Sequence, residues 1–449
     1  MSSTPAQSRH GVTSADNRDP IGYAVAFLNR LASAGTLDRF GLRKPTERVV
    51  FEATRTGFRA VVNLNRAFTR RGTRTGAPAR VPAAPRRGVF DLTPTEDEQM
   101  LVDAVSEFAT EMVRPAAADA NEACRAPEEL LRAGREMGLP ILAVPEDLGG
   151  ISTERSAMAG TLVAEALAKG DMGLAVACLA PGAVTTALSL WGTDEQQSTY
   201  LPSFTGDDGP AAALAITEPR PLFDPLNLTT IAVRDGDGYL LNGVKSLVPL
   251  GADAELFVIG AQLEGSPALF LVESATAGLA IEAEPSMGLR AAALTRVELT
   301  DVRVGPISLL GDAEAYVDCV RLSRLAWCAL SIGTAQAVLD YVIPYVNERQ
   351  AFGEPVSHRQ SVAFMVANIG IELQGMRLVT YKAASRAAQG QPFDREVALA
   401  RWLCAERGMQ IGNDGVQLLG GHGFVKEHPV ERWYRDLRSV GLMEGGVLV

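Results

Sequence analysis

Between about residues 210 and 311 the chain changes its period, and this break constrains the fold more than any other feature. TTIAVRDGDGYLLNGVK holds two β-rich runs around Asp-Gly-Asp-Gly, which is a hairpin signal. ELFVIGAQL, PALFLVES, GLAIEAE and TRVELTDVRV follow as short strands separated by turn residues. They predict a small antiparallel β-domain. Before it, LTPTEDEQMLVDAVSEFATEMV opens with a Thr followed by acidic residues, a helix start. Helical patterns run on to about 205, broken at VPEDLGG and WGTDEQQ. From about 312 they return, with Gly and Pro confined to connections. The expected fold is α+β and mainly α. A helical domain spans 90–209, a β-domain 210–311 and a helical bundle 312–449, behind an extension of 1–89. Ligand sites are expected at the domain junctions.

Charge is divided just as sharply. Residues 1–89 carry 16 Lys+Arg against 5 Asp+Glu, a net of +11, while the whole chain stands at −11. Within this arm, residues 45–70 place Val50, Ala53, Val61, Leu64 and Phe68 near one helical stripe, with Arg48, Arg55, Arg59 and Arg66 interspersed. Such a helix either docks on the acidic body or a partner subunit, or lies on an anionic membrane surface. TRRGTRTGAPARVPAAPRRG after it reads as a linker. No nucleic-acid-binding motif accompanies the basic residues, so no nucleic acid partner is expected. The N-terminus has no hydrophobic signal core, and no apolar run is read as long enough to span a bilayer. The expected location is cytoplasmic, with peripheral membrane association through 45–70. Cys124, Cys178, Cys319, Cys328 and Cys404 are scattered and odd in number, which suits a reduced compartment. The four histidines show no metal-ligand spacing, so no metal is expected.

Two C-terminal stretches carry chemistry. RQAFGEPVSHRQ (349–360) lies between helical runs. VQLLGGHGFVKEHPVERWYRDLRSVGLMEGG places Gly420, Gly421 and Gly423 where backbone N–H groups could hold a phosphate, and ends with Glu444 before Gly445 and Gly446. Taken alone, Met-Glu-Gly-Gly reads as a solvated turn. Together with GLPILAVPEDLGG, GTDEQQSTYLP, AITEP, DGYLLNGVK, MGLRAAALTRVELTDVRV and RLAWCALSIG, in this order, the pattern resembles the acyl-CoA dehydrogenase family over roughly residues 95–449.

The resemblance implies FAD-dependent α,β-dehydrogenation of an acyl-CoA thioester, in fatty-acid or other lipid oxidation. Glu444 falls at the family's base position, counted from Arg435-Asp436. Some members carry the base just before the residue matching Arg324, and here that residue is Ser323. A flavin ribityl hydroxyl and the Glu444 N–H would meet the developing enolate oxygen, and the base must be desolvated. Thr217, Arg349, Phe352, Gln360, Gln417, Gly420 and Gly421 fall at cofactor positions, and Arg324, Phe223 and Gly445 at substrate positions. Arg324 reads equally as a structural ion-pair residue within the bundle. The family's FAD contacts cross a subunit interface, which implies a homo-oligomer, and its electrons pass to an electron-transfer flavoprotein or similar acceptor.

The departures gather at the flavin and the thioester. The TEP-x-x-GSD loop appears as TEPRPLFDP, with Leu222-Phe223 in place of Gly-Ser. The K-x-W-[IVS]-[TS] strand appears as KSLVP, with Leu247 for the aromatic and Pro249 for the hydroxyl residue. Proline offers neither N–H nor hydroxyl. Gly446 and Leu448 replace polar residues after the base, and the family's last helix is absent from the chain. A second function class follows from these changes: a catalytically degenerate subunit that binds acyl-CoA or a partner dehydrogenase.

Overall fold

The computed structural model describes residues 77–83, 92–153, 156–206 and 208–447. The amphipathic segment 45–70 and most of the linker lie outside the described residues. The linker residues that are described pack against the body: Ala79 contacts a buried cluster, and Arg80 Nη1 donates to the Ser189 carbonyl at 2.9 Å.

The helix start expected in LTPTEDEQ is present. Thr95 caps α1 (Glu96–Phe108) with a full capping box: Glu98 N–H donates to Thr95 Oγ1 and Thr95 N–H to Glu98 Oε2. A π-type turn leads into α2 (Arg114–Ala123), and α3 (Glu128–Glu136) follows. The expected break at VPEDLGG is a short 3-10 turn, Glu146–Leu148. A further break falls at Asp171, between α4 (Ala157–Gly170) and α5 (Met172–Trp191), whose carboxylate caps α5 through Leu174 N–H. α5 carries no charged residue and is buried nearly all round, as a central helix must be. α6 (Asp194–Tyr200) starts after the break at WGTDEQQ with its own capping box from Thr193.

The β-domain is one eight-stranded sheet, ordered β6-β7-β3-β2-β4-β5-β8 with β1 beside β4. Its strands are β1 (Ala212–Ala215), β2 (Ile231–Asp235), β3 (Gly238–Val248), β4 (Leu256–Leu263), β5 (Ser266–Glu273), β6 (Leu279–Ala283), β7 (Thr295–Val304) and β8 (Leu309–Leu310). The hairpin turns on Gly236-Asp237, with Asp235 paired to Gly238 and Gly236 at φ 63°. Most pairings are antiparallel as expected, but β1 and β2 both run parallel to β4. The β3–β7 register slips between Lys245 and Val248, which turns the end of β3 toward the N-terminal domain's cavity.

The C-terminal bundle is α7 (Ala313–Glu348), α8 (Gln360–Ala388), α9 (Asp394–Leu419) and α10 (Val430–Leu437). Residues 327–335 of α7 are buried on every face. By length and composition α5, α7 and α8 are apolar enough to cross a membrane, which the sequence reading did not anticipate. Two of them are core helices, whereas most of α8 is uncovered in this chain.

Glycines set how closely these helices approach. A Cβ at Gly333 of α7 would overlap the Glu165 carbonyl of α4, whereas one at Gly160 of α4 would meet nothing within 4 Å. Gly333→Ala should destabilise by about 1–3 kcal/mol through overpacking. Gly160→Ala should stabilise by about 0.5–1 kcal/mol through helix propensity. Paired thermal melts, with opposite signs of the Tm shift, check both.

Candidate active site

α10 and a following 3-10 turn deliver the chain to a tight bend at 443–446. Glu444 sits there at φ 56° and Gly445 at φ 102°. A left-handed non-glycine residue costs about 1–2 kcal/mol, so something must hold it. Arg324 on α7 donates through Nε (3.0 Å) and Nη2 (2.9 Å) to the Glu444 carbonyl. Arg401 on α9 donates through Nη2 to the Met443 carbonyl at 2.6 Å and also to the Gly445 carbonyl. Gly446 N–H donates to the Phe223 carbonyl at 2.9 Å. A side chain at position 445 would collide with Pro225, 2.6 Å from its Cβ, which explains the glycine.

The Glu444 carboxylate is thereby held inside the protein, only 6% exposed as a residue. Ser323 Oγ donates to Oε1 at 2.9 Å, with Trp327 Nε1 at 3.5 Å from the same oxygen. Thr217 Oγ1 stands 3.5 Å from Oε2 and accepts the Glu444 N–H at 3.2 Å. Glu444, Ser323, Trp327 and Thr217 all line a cavity of about 650 Å3 that runs into the N-terminal domain. Leu247 and Pro249, from the irregular end of β3, line it too. Leu247 is at φ 56°, with its N–H on Glu284 Oε2 at 2.7 Å.

Thr217 is itself pinned from beside. The neighbouring Glu218 accepts from Thr229 N–H (2.8 Å), Thr229 Oγ1 (2.6 Å), Thr230 N–H (2.8 Å) and Lys245 Nζ (3.0 Å). Lys245 also reaches the Ile216 carbonyl at 3.2 Å. Both side chains are fully buried. Burial opposes the Glu218 charge, but Lys245 and the threonine donors outweigh it and hold the carboxyl at about 2. Burial pulls Lys245 down to about 8 against the attraction of Glu218.

The expected site residues fall into two groups. Thr217, Arg324, Glu444 and Gly445 meet at the turn. Phe223 reaches it through its carbonyl, while its ring is buried in a hydrophobic cluster under Arg220. Arg324 binds the backbone of the turn, an arrangement distinct from the bundle ion pair considered for it. The second group lies at one end of the bundle. β9 (Gln350–Ala351) and β10 (Glu354–Pro355) form a small hairpin whose tip holds Phe352, 94% exposed with the Arg359 guanidinium 5.1 Å from its ring centre. Arg349, Gln360, Gln417, Gly420 and Gly421 are all exposed. Tyr345, one turn before Arg349, bonds His422 Nδ1 at 2.8 Å, which ties the two loops together. Arg401 and the Lys245–Glu218 pair escaped the sequence reading. Both Glu218 and Lys245 stand inside recognised motifs, and that was the available signal.

Sequence comparison identifies the class of protein to which this three-domain chain belongs. Residues 95–207 match the acyl-CoA dehydrogenase N-terminal domain, 213–302 the middle domain and 314–446 the C-terminal domain. The chain belongs to the acyl-CoA dehydrogenase family. It is 30% identical over 362 residues to the mitochondrial short/branched chain specific acyl-CoA dehydrogenase of Bos taurus, covering 78% of this chain and 83% of that protein. Among solved structures, butyryl-CoA dehydrogenase from Megasphaera elsdenii superposes with a TM-score of 0.74 at 25% identity, covering 80% of this chain and 97% of that one. A chain from a structure described as the electron transferring flavoprotein of Acidaminococcus fermentans gives 0.74 at 27% identity, covering 80% and 96%.

The buried pair yields a pH prediction. Lys245 and the threonine donors hold folded Glu218 at about 2, below the ordinary glutamate value of about 4.3. Between those values the folded state binds fewer protons than the unfolded chain, so stability is lost as pH falls through this window, by about 3 kcal/mol in all. Glu218→Gln should flatten that acid limb. It should also lower stability at pH 7 by about 3–5 kcal/mol, because Lys245 is left buried and unpaired. Thermal melts from pH 2 to pH 7 measure both.

Proposed function

We propose that this protein is an FAD-dependent acyl-CoA dehydrogenase in which Glu444 removes the α-proton of the thioester. The observation that carries the reading is a buried carboxylate, on a turn whose carbonyls Arg324 and Arg401 hold, lining an apolar cavity. Asp97 and Glu98 also line that cavity, but Asp97 is exposed at the start of α1 and Glu98 is committed to the capping box. Thr217 and Glu444 N–H partner one another at the turn. That N–H is placed to serve the thioester oxygen when substrate takes it from Thr217.

The residues fit FAD at its adenine-diphosphate end. Arg349 supplies an exposed guanidinium, Gln360 and Gln417 supply amides, and a Cβ at Gly420 or Gly421 would meet nothing within 4 Å. At the ring end Thr217 supplies a hydroxyl, and Leu247 and Pro249 supply apolar walls. Residue 249 offers no N–H or hydroxyl donor to the flavin. When bound, FAD accepts the hydride from the substrate β-carbon.

The uncovered α8 supports a homo-oligomer. Phe364, Ile371 and Leu378 recur every seven residues on α8 and are all more than half exposed; Leu399 and Trp402 add to the surface from α9. A second copy covering this face would stand beside the exposed cofactor residues. An electron-transferring flavoprotein is the acceptor we favour, on the likeness to the Acidaminococcus fermentans structure. Lipid oxidation in the cytoplasm, with residues 45–70 on an anionic membrane surface, rests on the sequence reading. Leu247 and Pro249 favour a second reading, a subunit that binds acyl-CoA without turnover.

Glu444→Gln should leave the flavin absorption of the purified protein intact. It should slow anaerobic bleaching by acyl-CoA at least about 1,000-fold, since only the base is lost. A variant that bleaches at the wild-type rate rules out Glu444 as base. A wild-type protein that takes up no FAD supports the non-catalytic subunit.

A further inference from the structure

The cavity is far longer than a short acyl group. One face of α5 lines it from Val176 to Trp191, a run that spans about 22 Å at 1.5 Å per residue. Ala180, Ala183 and Ala187 on this face carry only methyl groups, so the channel stays open along the helix. Gly160 and Ala164 of α4 keep the facing side equally shallow. The two ends are distinguishable. Met172, the first residue of α5, touches Ser439 just before the base turn, with Sδ 3.8 Å from Oγ. At the other end Arg80 lines the cavity beside Trp191 and donates to the carbonyls of Ser189 and Gly192.

We propose that the substrate is a long, unbranched acyl thioester whose chain follows α5 from Glu444 toward Trp191. The flavin ring, against Thr217, Leu247 and Pro249, takes part of this cavity, and with C–C bonds of about 1.5 Å a chain of well over four carbons is needed to fill the rest. A four-carbon group would leave most of an apolar channel unfilled, forfeiting the contacts that its walls offer. Arg80 and Val81, from the N-terminal extension, line the far end beside Trp191. The inference rests on the dehydrogenase reading for placing the thioester at Glu444. It departs from the short/branched chain and butyryl specificities named for the relatives above.

The test is calorimetric binding of butyryl-, octanoyl- and palmitoyl-CoA, below micelle-forming concentrations, to Glu444→Gln protein carrying its flavin. Each buried methylene adds about fourfold in affinity, so palmitoyl-CoA should bind at least about 100-fold more tightly than butyryl-CoA. Ala183→Phe and Gly160→Leu, on facing helices, should each shrink that ratio at least about tenfold by blocking the channel. Two variants on separate helices keep one folding failure from deciding the result. Equal affinities across chain lengths, or a ratio that neither variant changes, would overturn the proposal. Chain-length-dependent binding with no bleaching of the wild-type flavin by any thioester would sustain this proposal and overturn the dehydrogenase reading.

Discussion

Two guanidinium groups on three consecutive carbonyls hold the site together. Arg401 takes the carbonyls of Met443 and Gly445, and Arg324 takes the one between them. Arg401 is only 3% exposed, and its Nε and Nη1 have no hydrogen-bond partner among the described residues. Burial, and then the neighbouring Arg324 charge, push its guanidinium down to about 10. An arrangement so unfavourable in desolvation is tolerated where geometry must be fixed. Here it fixes a glutamate in a backbone conformation that glutamate avoids, and so aims one carboxylate into one cavity. A lysine at position 324 could not give one carbonyl two donors from a rigid planar fork, as Arg324 does.

The clamp works because the three domains converge on it. Arg432 of α10 binds Asp171 between α4 and α5 at 2.8 Å. Asp436, one turn further, accepts Leu289 N–H from the β6–β7 connection at 2.7 Å, and burial raises its carboxyl to about 7. α10 is thus tied to the helical domain on one side and the sheet on the other, and the base turn follows directly from it. The Lys245–Glu218 pair performs the same service for Thr217 on the opposite wall. Placement of Glu444 in this chain is therefore a property of buried polar contacts between domains, with the hydrophobic clusters supplying rigidity around them.

What the sequence made legible was local. Thr95 and Glu98 announce a capping box within four residues, and Asp-Gly-Asp-Gly announces the hairpin. Glu444 could be located because its distance from Arg435-Asp436 is short and crosses one turn. What stayed hidden depends on contacts far apart in the chain. β1 is Ala-Ala-Leu-Ala, a composition with no strand preference, made a strand only by pairing with β4. The α4–α5 break is marked only by Gly170 and by Asp171 as a cap, within a run that is otherwise apolar. Arg401 looks like any polar residue on an amphipathic helix until α9 packs against the turn. Phe223 reads as a bulky residue at the thioester, yet its ring turns into the core and leaves its carbonyl to the turn. The channel length also depends on how α4, α5 and α7 are spaced, which no single helix encodes.

The central claim is that a proton leaves the α-carbon to Glu444 as hydride leaves the β-carbon. Single-turnover anaerobic flavin reduction with a thioester deuterated at the α-carbon tests it most directly. The account predicts bleaching that is slower with the α-deuterated substrate than with the unlabelled one. Bleaching at identical rates for the two would contradict it.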